Sequence, residues 1–181
     1  MRKINEIFYS LQGEGFHTGT PAVFVRFSGC NLHCPFCDTQ HENGTFMTDD
    51  EILSRILEYP AQMVILTGGE PSLFIDETFI ELLHRAGKYI SIETNGTHLL
   101  PAGIDWVTCS PKEGGAVVLP HMNELKVVYQ GQDLTPYESM PADHFFLQPC
   151  SGQNIPETIQ TVLQHPHWRL SLQTHKLVGI Q

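Results

Sequence analysis

Short apolar runs alternate along this chain with segments of helical periodicity. The apolar runs are rich in β-branched and aromatic residues and predict strands. Apolar residues at helical spacing predict three helices, the first opening with the capping-box pattern Thr48-Asp49-Asp50-Glu51. The predicted strands span residues 4–11, 22–27, 63–66, 89–93, 106–109, 125–129, 145–148 and 169–173, and the other two helices span 75–86 and 156–164.

Polar and Gly/Pro motifs follow the carboxyl ends of most predicted strands. In parallel α/β barrels, active sites are built at that face. The chain has 181 residues, whereas a complete eight-fold barrel takes about 250, and helices are fewer than strands. No linker, repeat or low-complexity segment interrupts the sequence. We therefore expect a single α/β domain, 1–181, folded as an abbreviated, open partial (β/α) barrel.

The balance of charge indicates the kind of partner. The formal net charge is -10, and Lys and Arg do not cluster, which argues against a protein that neutralises nucleic-acid phosphates. A small-molecule substrate fits better. No apolar run approaches the roughly 20 residues that span a bilayer, and no signal-peptide core follows the first residues. We expect a cytoplasmic protein with no nucleic-acid or membrane partner.

Three cysteines stand within one short loop. Cys30, Cys34 and Cys37 fall in the stretch G-C-N-L-H-C-P-F-C, and such close thiolates are typical of metal ligands. A cubane iron–sulfur cluster held by three thiolates keeps one iron open for chemistry. A Cys3His zinc site completed by His33 or His41 is the alternative, although zinc sites usually draw on two separated ligand pairs.

The other two of the five cysteines stand singly. Cys109 ends an apolar run, and Cys150 lies in a turn-like segment. In a reducing compartment we interpret both as small buried residues.

Glycines and one arginine mark further candidate binding elements. Gly13 and Gly15, and later Gly68 and Gly69, allow the backbone to approach a ligand closely. Arg26 carries the charge of the predicted strand 22–27, and burying it without an anionic partner would be costly. Its planar fork suits a substrate carboxylate, with a structural salt bridge as the alternative.

The cysteine spacing, with Phe36 before the last cysteine, resembles the cluster loop of the radical S-adenosylmethionine (SAM) superfamily. The G-G-E-P segment at residues 68–71 resembles its second motif, which holds the amino group of SAM. This resemblance implies a 4Fe–4S cluster whose open iron is chelated by SAM, and an electron transfer that cleaves SAM to a 5'-deoxyadenosyl radical. Phe36 would shield the cluster or stack on the cofactor, unless it only packs within its loop.

Further motifs narrow the resemblance to one family. They are S-L-Q-G-E-G at 10–15, C-D-T at 37–39, I-E-T-N-G at 92–96, S-P-K at 110–112 and Q-T-H-K at 173–176. Together with Arg26, they resemble the 7-carboxy-7-deazaguanine synthases over nearly the whole chain. The resemblance implies a homodimeric lyase that converts 6-carboxy-5,6,7,8-tetrahydropterin to 7-carboxy-7-deazaguanine, a queuosine precursor, with loss of ammonia. It also implies magnesium, SAM regenerated in each turnover, and an electron donor such as flavodoxin or ferredoxin.

The resemblance also assigns site residues by matching motif. The cluster ligands would be Cys30, Cys34 and Cys37. SAM would be held by Phe36, Cys37, Asp38, Gly69, Ser110, Pro111, Lys112, Gln148, Pro149, Cys150 and Ser151. The pterin would be surrounded by Leu11, Gln12, Gly13, Glu14, Arg26, Thr67, Glu93, His175 and the terminal residue Gln181.

Three of the assigned residues carry specific roles. Glu93 is the candidate proton acceptor, although a Glu before Asn-Gly at a strand end is often only a turn former. His175, beyond the last predicted strand, would hydrogen-bond the pterin. Thr39 would bind magnesium through its hydroxyl, the alternative being a hydrogen bond within its own loop.

Two other functions remain open on these residues. A glycyl-radical enzyme activating enzyme shares the cluster spacing, although Q-G-E-G and C-D-T favour the pterin substrate. A non-catalytic zinc or iron–sulfur binding module would leave G-G-E-P and Arg26 unexplained.

Overall fold

A computed structural model describes residues 1–35, 37 and 43–181. These residues form nine strands in one sheet, with five α-helices and two short 3-10 turns. The strands are β1 (Arg2–Leu11), β2 (Pro21–Phe27), β3 (Thr45–Met47), β4 (Met63–Gly68), β5 (Tyr89–Thr94), β6 (Trp106–Cys109), β7 (Met122–Tyr129), β8 (Ala142–Pro149) and β9 (Arg169–Leu170). The helices are α1 (Asp49–Leu57), α2 (Glu77–Arg85), α3 (Thr135–Glu138), α4 (Ile155–Gln164) and α5 (Thr174–Val178).

The sheet is mostly parallel. Its strand order is β3-β1-β2-β4-β5-β6-β7-β8-β9, and every pair from β2 onward is parallel. The strands β1 and β3 add two antiparallel pairs at one edge. Helices are fewer than strands among the described residues. The predicted fold, an abbreviated and open partial (β/α) barrel, is confirmed.

Helices cover one face of the sheet. Side chains alternate between the two faces of a strand, so Val64 and Leu66 of β4 pack in one core cluster with Ile52 and Ile56 of α1 and Phe79 of α2. A second cluster lies farther along the sheet, under α4. The opposite face carries a smaller apolar cluster that includes Phe24 and Ile65. Toward the carboxyl ends of the strands, it carries the polar and charged residues Arg26, Thr67, Glu93 and Lys126, which border open space.

The helix ends follow local sequence signals. Thr48 is the N-cap of α1, with its hydroxyl accepting from the Glu51 backbone N–H and the Glu51 side chain accepting from the Thr48 backbone N–H. The predicted capping box is therefore confirmed. Gly87 follows the C-cap residue of α2 with a positive φ of 73°, a backbone conformation that glycine adopts without a steric penalty.

Three short elements were absent from the prediction, and one strand was wrong at its end. The elements β3, α3 and α5 span three to five residues each, too few for a periodicity to be recognised. The strand predicted over 169–173 ends at Leu170, and Gln173 is the N-cap of α5. The Ser171 backbone N–H still donates to the Leu147 carbonyl of β8 at 2.9 Å. Beyond it the chain turns to the β1–β2 loop, where the Gln173 side chain donates to Glu14 and the Thr174 backbone N–H donates to the Gly13 carbonyl.

The β1–β2 loop and the C-terminal segment tie the two ends of the open sheet together. The Gly15 backbone N–H donates to the Ser171 hydroxyl at 2.9 Å. Thr174 donates to the Gly13 carbonyl from both its backbone N–H and its hydroxyl, each at 2.9 Å. Within the described ranges, no helix has the length and apolar character needed to cross a membrane.

Candidate active site

A cavity of about 580 Å³ opens at the carboxyl ends of the parallel strands. Residues from β1, β2, β4, β5, β6, β7 and β8 line it, together with the cysteine loop and the C-terminal segment. Small-molecule sites usually measure about 300–1,000 Å³. This is the face at which barrels of this class build their active sites.

The three loop cysteines line one side of this cavity. Cys30, Cys34 and Cys37 are not joined in disulfides, and all three border the cavity. Burial raises the pKa of the Cys34 thiol and the two neighbouring thiols add to that shift, while Lys112 opposes it. Among the residues that the structure describes, no three His, Cys, Asp or Glu side chains are arranged to hold a single metal ion. A cubane cluster, whose irons are separate, takes more widely spaced thiolates.

The G-G-E-P turn fixes the start of the cysteine loop. The Glu70 backbone N–H donates to the Gly29 carbonyl at 2.9 Å, and the Gly69 N–H donates to the Phe27 carbonyl at 3.1 Å. A Cβ on Gly69 would overlap the Gly29 carbonyl group. Glycine at residue 69 is therefore a steric requirement for the loop to lie against β4.

The carboxylate of Glu70 lies in the scaffold rather than in the cavity. It is fully buried and accepts from the Thr94 hydroxyl and the Asn95 backbone N–H, both at 2.7 Å. The Asn95 amide in turn donates to the Asn31 side chain at 3.0 Å. An ionised carboxylate only accepts hydrogen bonds, so Glu70 locks β5 and the cysteine loop into one arrangement.

Glu93 lies on the wall of the cavity at the end of β5. One carboxylate oxygen accepts from the Gln12 amide at 3.0 Å, and the other accepts from the Thr67 hydroxyl at 2.8 Å. Its side chain is 24% exposed. These two donors orient the carboxylate, and its exposed part faces the open space.

A buried ion pair joins the β1–β2 loop to β7. The ammonium of Lys126 contacts the carboxylate of Glu14, which also accepts from the Gln173 amide at 2.9 Å. Burial by itself would raise the pKa of Glu14, but the positive charge of Lys126 and the hydrogen bonds lower it to about 2. Lys126 also lies 3.7 Å from a carboxylate oxygen of Glu93.

The C-terminal segment supplies part of the rim. His175, in the first turn of α5, lies so close to Gly13 that a Cβ on that glycine would overlap the imidazole ring. The Gln181 amide donates to Glu6 at 2.8 Å, and the Ser10 hydroxyl donates to the Gln181 carbonyl at 2.6 Å. Both His175 and Gln181 therefore lie against β1 and its loop.

Comparisons with known proteins agree with this geometry. The family model of the Radical SAM superfamily matches residues 24–129. A 7-carboxy-7-deazaguanine synthase of Bacteroides thetaiotaomicron is 68% identical over 181 residues, which is 100% of both chains. This chain belongs to the 7-carboxy-7-deazaguanine synthase family.

Other members of the synthase family match nearly the whole chain at lower sequence identity. The enzyme of Nitratidesulfovibrio vulgaris is 41% identical, with 98% of each chain covered. Among solved structures, the crystal structure of QueE from Escherichia coli superposes with a TM-score of 0.81 at 32% identity, covering 96% of this chain and 94% of that one. The alternative of a glycyl-radical activating enzyme is not favoured by these matches.

Membership of the radical SAM superfamily implies a 4Fe–4S cluster and SAM. The residues present fit such a cluster, because three cysteines from one loop line the cavity and thiolates are the ligands that iron–sulfur clusters take. The glycine backbone of the G-G-E-P turn borders the same space.

Most of the predicted site residues of this synthase family member meet in the cavity. Those that line it are Leu11, Gln12, Gly13, Glu14, Arg26, Cys30, Cys34, Cys37, Thr67, Gly69, Glu93, Ser110, Lys112, Gln148, Pro149, Cys150, Ser151, His175 and Gln181. Pro111 is half-buried and is not among the lining residues. Phe36, Asp38 and Thr39 lie outside the described residues, as does His41 of the zinc alternative.

The interpretation of Cys109 and Cys150 as small buried residues is half right. Cys109 is fully buried, and burial raises the pKa of its thiol to about 12. Cys150 is only partly buried and lines the cavity. The reason is that it begins the 3-10 turn Cys150–Gly152 directly after β8, at the edge where the cavity opens.

Lys126 and Gln173 are site residues that the sequence reasoning missed. For Lys126, the signal was an alternation of charged and core residues along β7. Glu124, Lys126 and Val128 alternate with the core residues Leu125 and Val127, so two charged residues share one face of a buried strand. The predicted strand began at residue 125 and so lost half of that pattern.

We predict that the loop cysteines, and not Cys109, hold the cluster. Cys30→Ala, Cys34→Ala and Cys37→Ala should each lose most of the iron bound after anaerobic reconstitution, because each change removes one of three thiolate ligands. Iron and acid-labile sulfide per chain, with the visible absorption spectrum, provide the measurement.

Cys109→Ala is the matched control, since it deletes a buried thiol that does not line the cavity. It should keep wild-type iron content. Equal iron loss in all four variants would contradict the assignment.

Proposed function

We propose that this protein is a 7-carboxy-7-deazaguanine synthase, a radical SAM lyase. It converts 6-carboxy-5,6,7,8-tetrahydropterin to 7-carboxy-7-deazaguanine and ammonia, in the biosynthesis of queuosine precursors. Substrate and products balance without net oxidation or reduction. SAM is therefore regenerated in each turnover, and the electron that starts the cycle is not consumed overall.

One observation carries the proposal. A single cavity holds three thiols on one side and, on the other, an oriented set of hydrogen-bonding groups that suits a polar bicyclic substrate. That set consists of Gln12, Glu14, Arg26, Thr67, Glu93 and His175. The volume of the cavity suits a small molecule, and the 68% identity over the full length to a 7-carboxy-7-deazaguanine synthase supports 7-carboxy-7-deazaguanine as the product.

The chain's own residues bind and orient the cofactor. We assign the cluster to Cys30, Cys34 and Cys37, and SAM to the segments that border them. These SAM-binding residues are Phe36, Cys37, Asp38, Gly69, Ser110, Pro111, Lys112, Gln148, Pro149, Cys150 and Ser151. When bound, the cluster and SAM would supply radical chemistry at a C–H bond of the substrate, and the residues named above would hold them beside it.

Arg26 has features of both roles considered for it, a structural salt bridge and a ligand of the substrate carboxylate. It donates from Nε to Glu6 at 2.7 Å, as a structural ion pair would, and it also lines the cavity. A guanidinium has two further nitrogens, which suit a planar carboxylate. We assign them to the substrate carboxylate, with Glu6 fixing the plane of the guanidinium.

The remaining polar groups surround the pterin ring. Leu11, Gln12, Gly13, Glu14, Thr67, His175 and Gln181 form this group in our proposal. Carboxylates only accept hydrogen bonds, so Glu14 and Glu93 suit the N–H donors of a pterin. Glu93 is the candidate proton acceptor during the ring rearrangement, because its carboxylate is held by Gln12 and Thr67 and still borders the open cavity.

Magnesium is the further ion of this proposal, with Thr39 as its protein ligand. Magnesium keeps several waters and takes only one or two protein oxygens, so a hydroxyl completed by the substrate carboxylate suffices.

We further propose that the chain is a single core domain, that it acts as a homodimer, and that a flavodoxin or ferredoxin supplies the electron.

Anaerobic turnover tests the proposal directly. Reconstituted protein with a reductant, magnesium and the tetrahydropterin carboxylate should form 7-carboxy-7-deazaguanine and ammonia. Product should exceed a limiting amount of SAM, because SAM is regenerated. Chromatography with mass detection measures it, and cleavage of SAM without product would argue against this substrate.

Replacing Glu93 separates its role in the reaction from its role in the structure. Glu93→Gln places an amide N–H opposite either the Gln12 or the Thr67 donor and removes the proton acceptor. We expect kcat to fall by about 10²-fold or more, the range of general acid–base catalysis, while SAM binding persists. Glu157→Gln, on the exposed side of α4, is the control and should leave kcat unchanged. An unaltered kcat in Glu93→Gln would remove this role.

Replacing Thr39 tests the magnesium ligand. Thr39→Ala should weaken the dependence of product formation on magnesium, because one oxygen ligand is lost. Cluster content and SAM binding should be retained. A magnesium titration of initial rates measures the effect, and a titration curve identical to wild type would place the ion elsewhere.

A further inference from the structure

Lys126 is a buried cation that none of the proposed roles uses. Its side chain is 6% exposed, and it points from β7 to the face that carries the cavity. Two carboxylates from distant parts of the chain meet it there. Glu14 contacts its ammonium, and Glu93 lies 3.7 Å away.

Burying this charge is costly, and its partners offset the cost. An ammonium removed from water needs ion pairing and hydrogen bonds. Burial works to lower the pKa of Lys126, but Glu14, Glu93 and Glu124 together raise it. Lys126 therefore remains a cation throughout the working range of pH and does not exchange protons with a substrate.

The two carboxylates depend on that cation in turn. Glu14 is 15% exposed and Glu93 is 24% exposed. Like charges close together, and burial, both favour the protonated form of a carboxyl group. The other ionisable groups facing this cluster are Glu124 of β7, Lys112 of the segment after β6 and His175 of α5.

We infer that Lys126 is a positioning residue that keeps Glu14 ionised and holds the carboxylates of Glu14 and Glu93 together as hydrogen-bond acceptors at the substrate. The inference rests on the proposed function for the identity of that substrate. Lys126 acts through the two carboxylates. A protonated Glu14 would present an O–H where the pterin presents N–H donors.

The pH profile separates this electrostatic role from mere packing. In Lys126→Met, kcat/KM for the pterin should fall by about tenfold or more at neutral pH. The acidic limb of the plot of kcat/KM against pH should move up by about one pH unit or more. The rate should recover as pH rises, because Glu14 ionises again. Lys126→Arg, which keeps the charge, should keep the wild-type limb.

Lys88→Met is the matched control, because Lys88 is a half-buried lysine that donates to the Ala61 carbonyl at 2.7 Å outside the cavity. It should leave the acidic limb in place. A loss in Lys126→Met that is equal at every pH, or a limb displaced equally in Lys88→Met, would overturn the inference.

A stability measurement tests the same inference without turnover. Without Lys126, burial is the largest influence that remains on the pKa of Glu14, opposed by the Gln173 hydrogen bond and the charge of His175. We therefore expect the folded-state pKa of Glu14 in Lys126→Met to lie above its ordinary 4.5. The free energy of unfolding of Lys126→Met is then highest below pH 4.5, where Glu14 is protonated in both states. It falls as pH rises toward the raised folded-state pKa, because Glu14 ionises more readily in the unfolded chain. The urea midpoint of reconstituted Lys126→Met should therefore fall over that range.

The double variant Lys126→Met/Glu14→Gln should lose much of that fall, because Gln does not ionise. Identical urea profiles for the single and double variants would overturn the inference. If wild-type protein formed no product from the pterin, the proposed function would fail, and the urea comparison would still decide the role of Lys126.

Discussion

The close backbone contact between Gly69 and Gly29 is the constraint on which the site depends. It leaves no room for a side chain, and it sets the depth at which the cysteine loop leaves β2. The buried Glu70 then adds β5 through Thr94 and Asn95. Loop, turn and strand end form one unit, so the thiols have a fixed position relative to Glu93. Radical chemistry needs such a fixed distance, because a reactive group must meet one C–H bond and exclude others.

The opposite wall of the cavity is organised by charge rather than by close packing. Lys126 holds Glu14 on a loop and approaches Glu93 on a strand. Gln12 and Thr67 then fix the Glu93 carboxylate. The protein thereby collects several carboxylates in one small space without leaving them all uncompensated. The same wall suits a substrate that is rich in N–H donors and carries a carboxylate of its own.

Local patterns predicted those parts of the fold whose causes are local. The apolar runs gave the parallel strands, and the Thr48 capping box gave the start of α1. The cysteine spacing predicted metal ligands, and the three cysteines line the cavity. Lys126 was missed because its partner Glu14 is 112 residues away, and no local pattern reports such a pairing. The helix α5 was missed because its contacts with Gly13, and not its five residues, define it.

The meeting of the two ends of the chain has a consequence for how the protein folds. The Ser10 hydroxyl bonds with the carbonyl of Gln181, 171 residues away, and Thr174 bonds with Gly13. Contacts of such sequence separation carry the largest loop-closure entropy and form late. During synthesis, this part of the cavity rim is therefore completed only after residues 174–181 have left the ribosome.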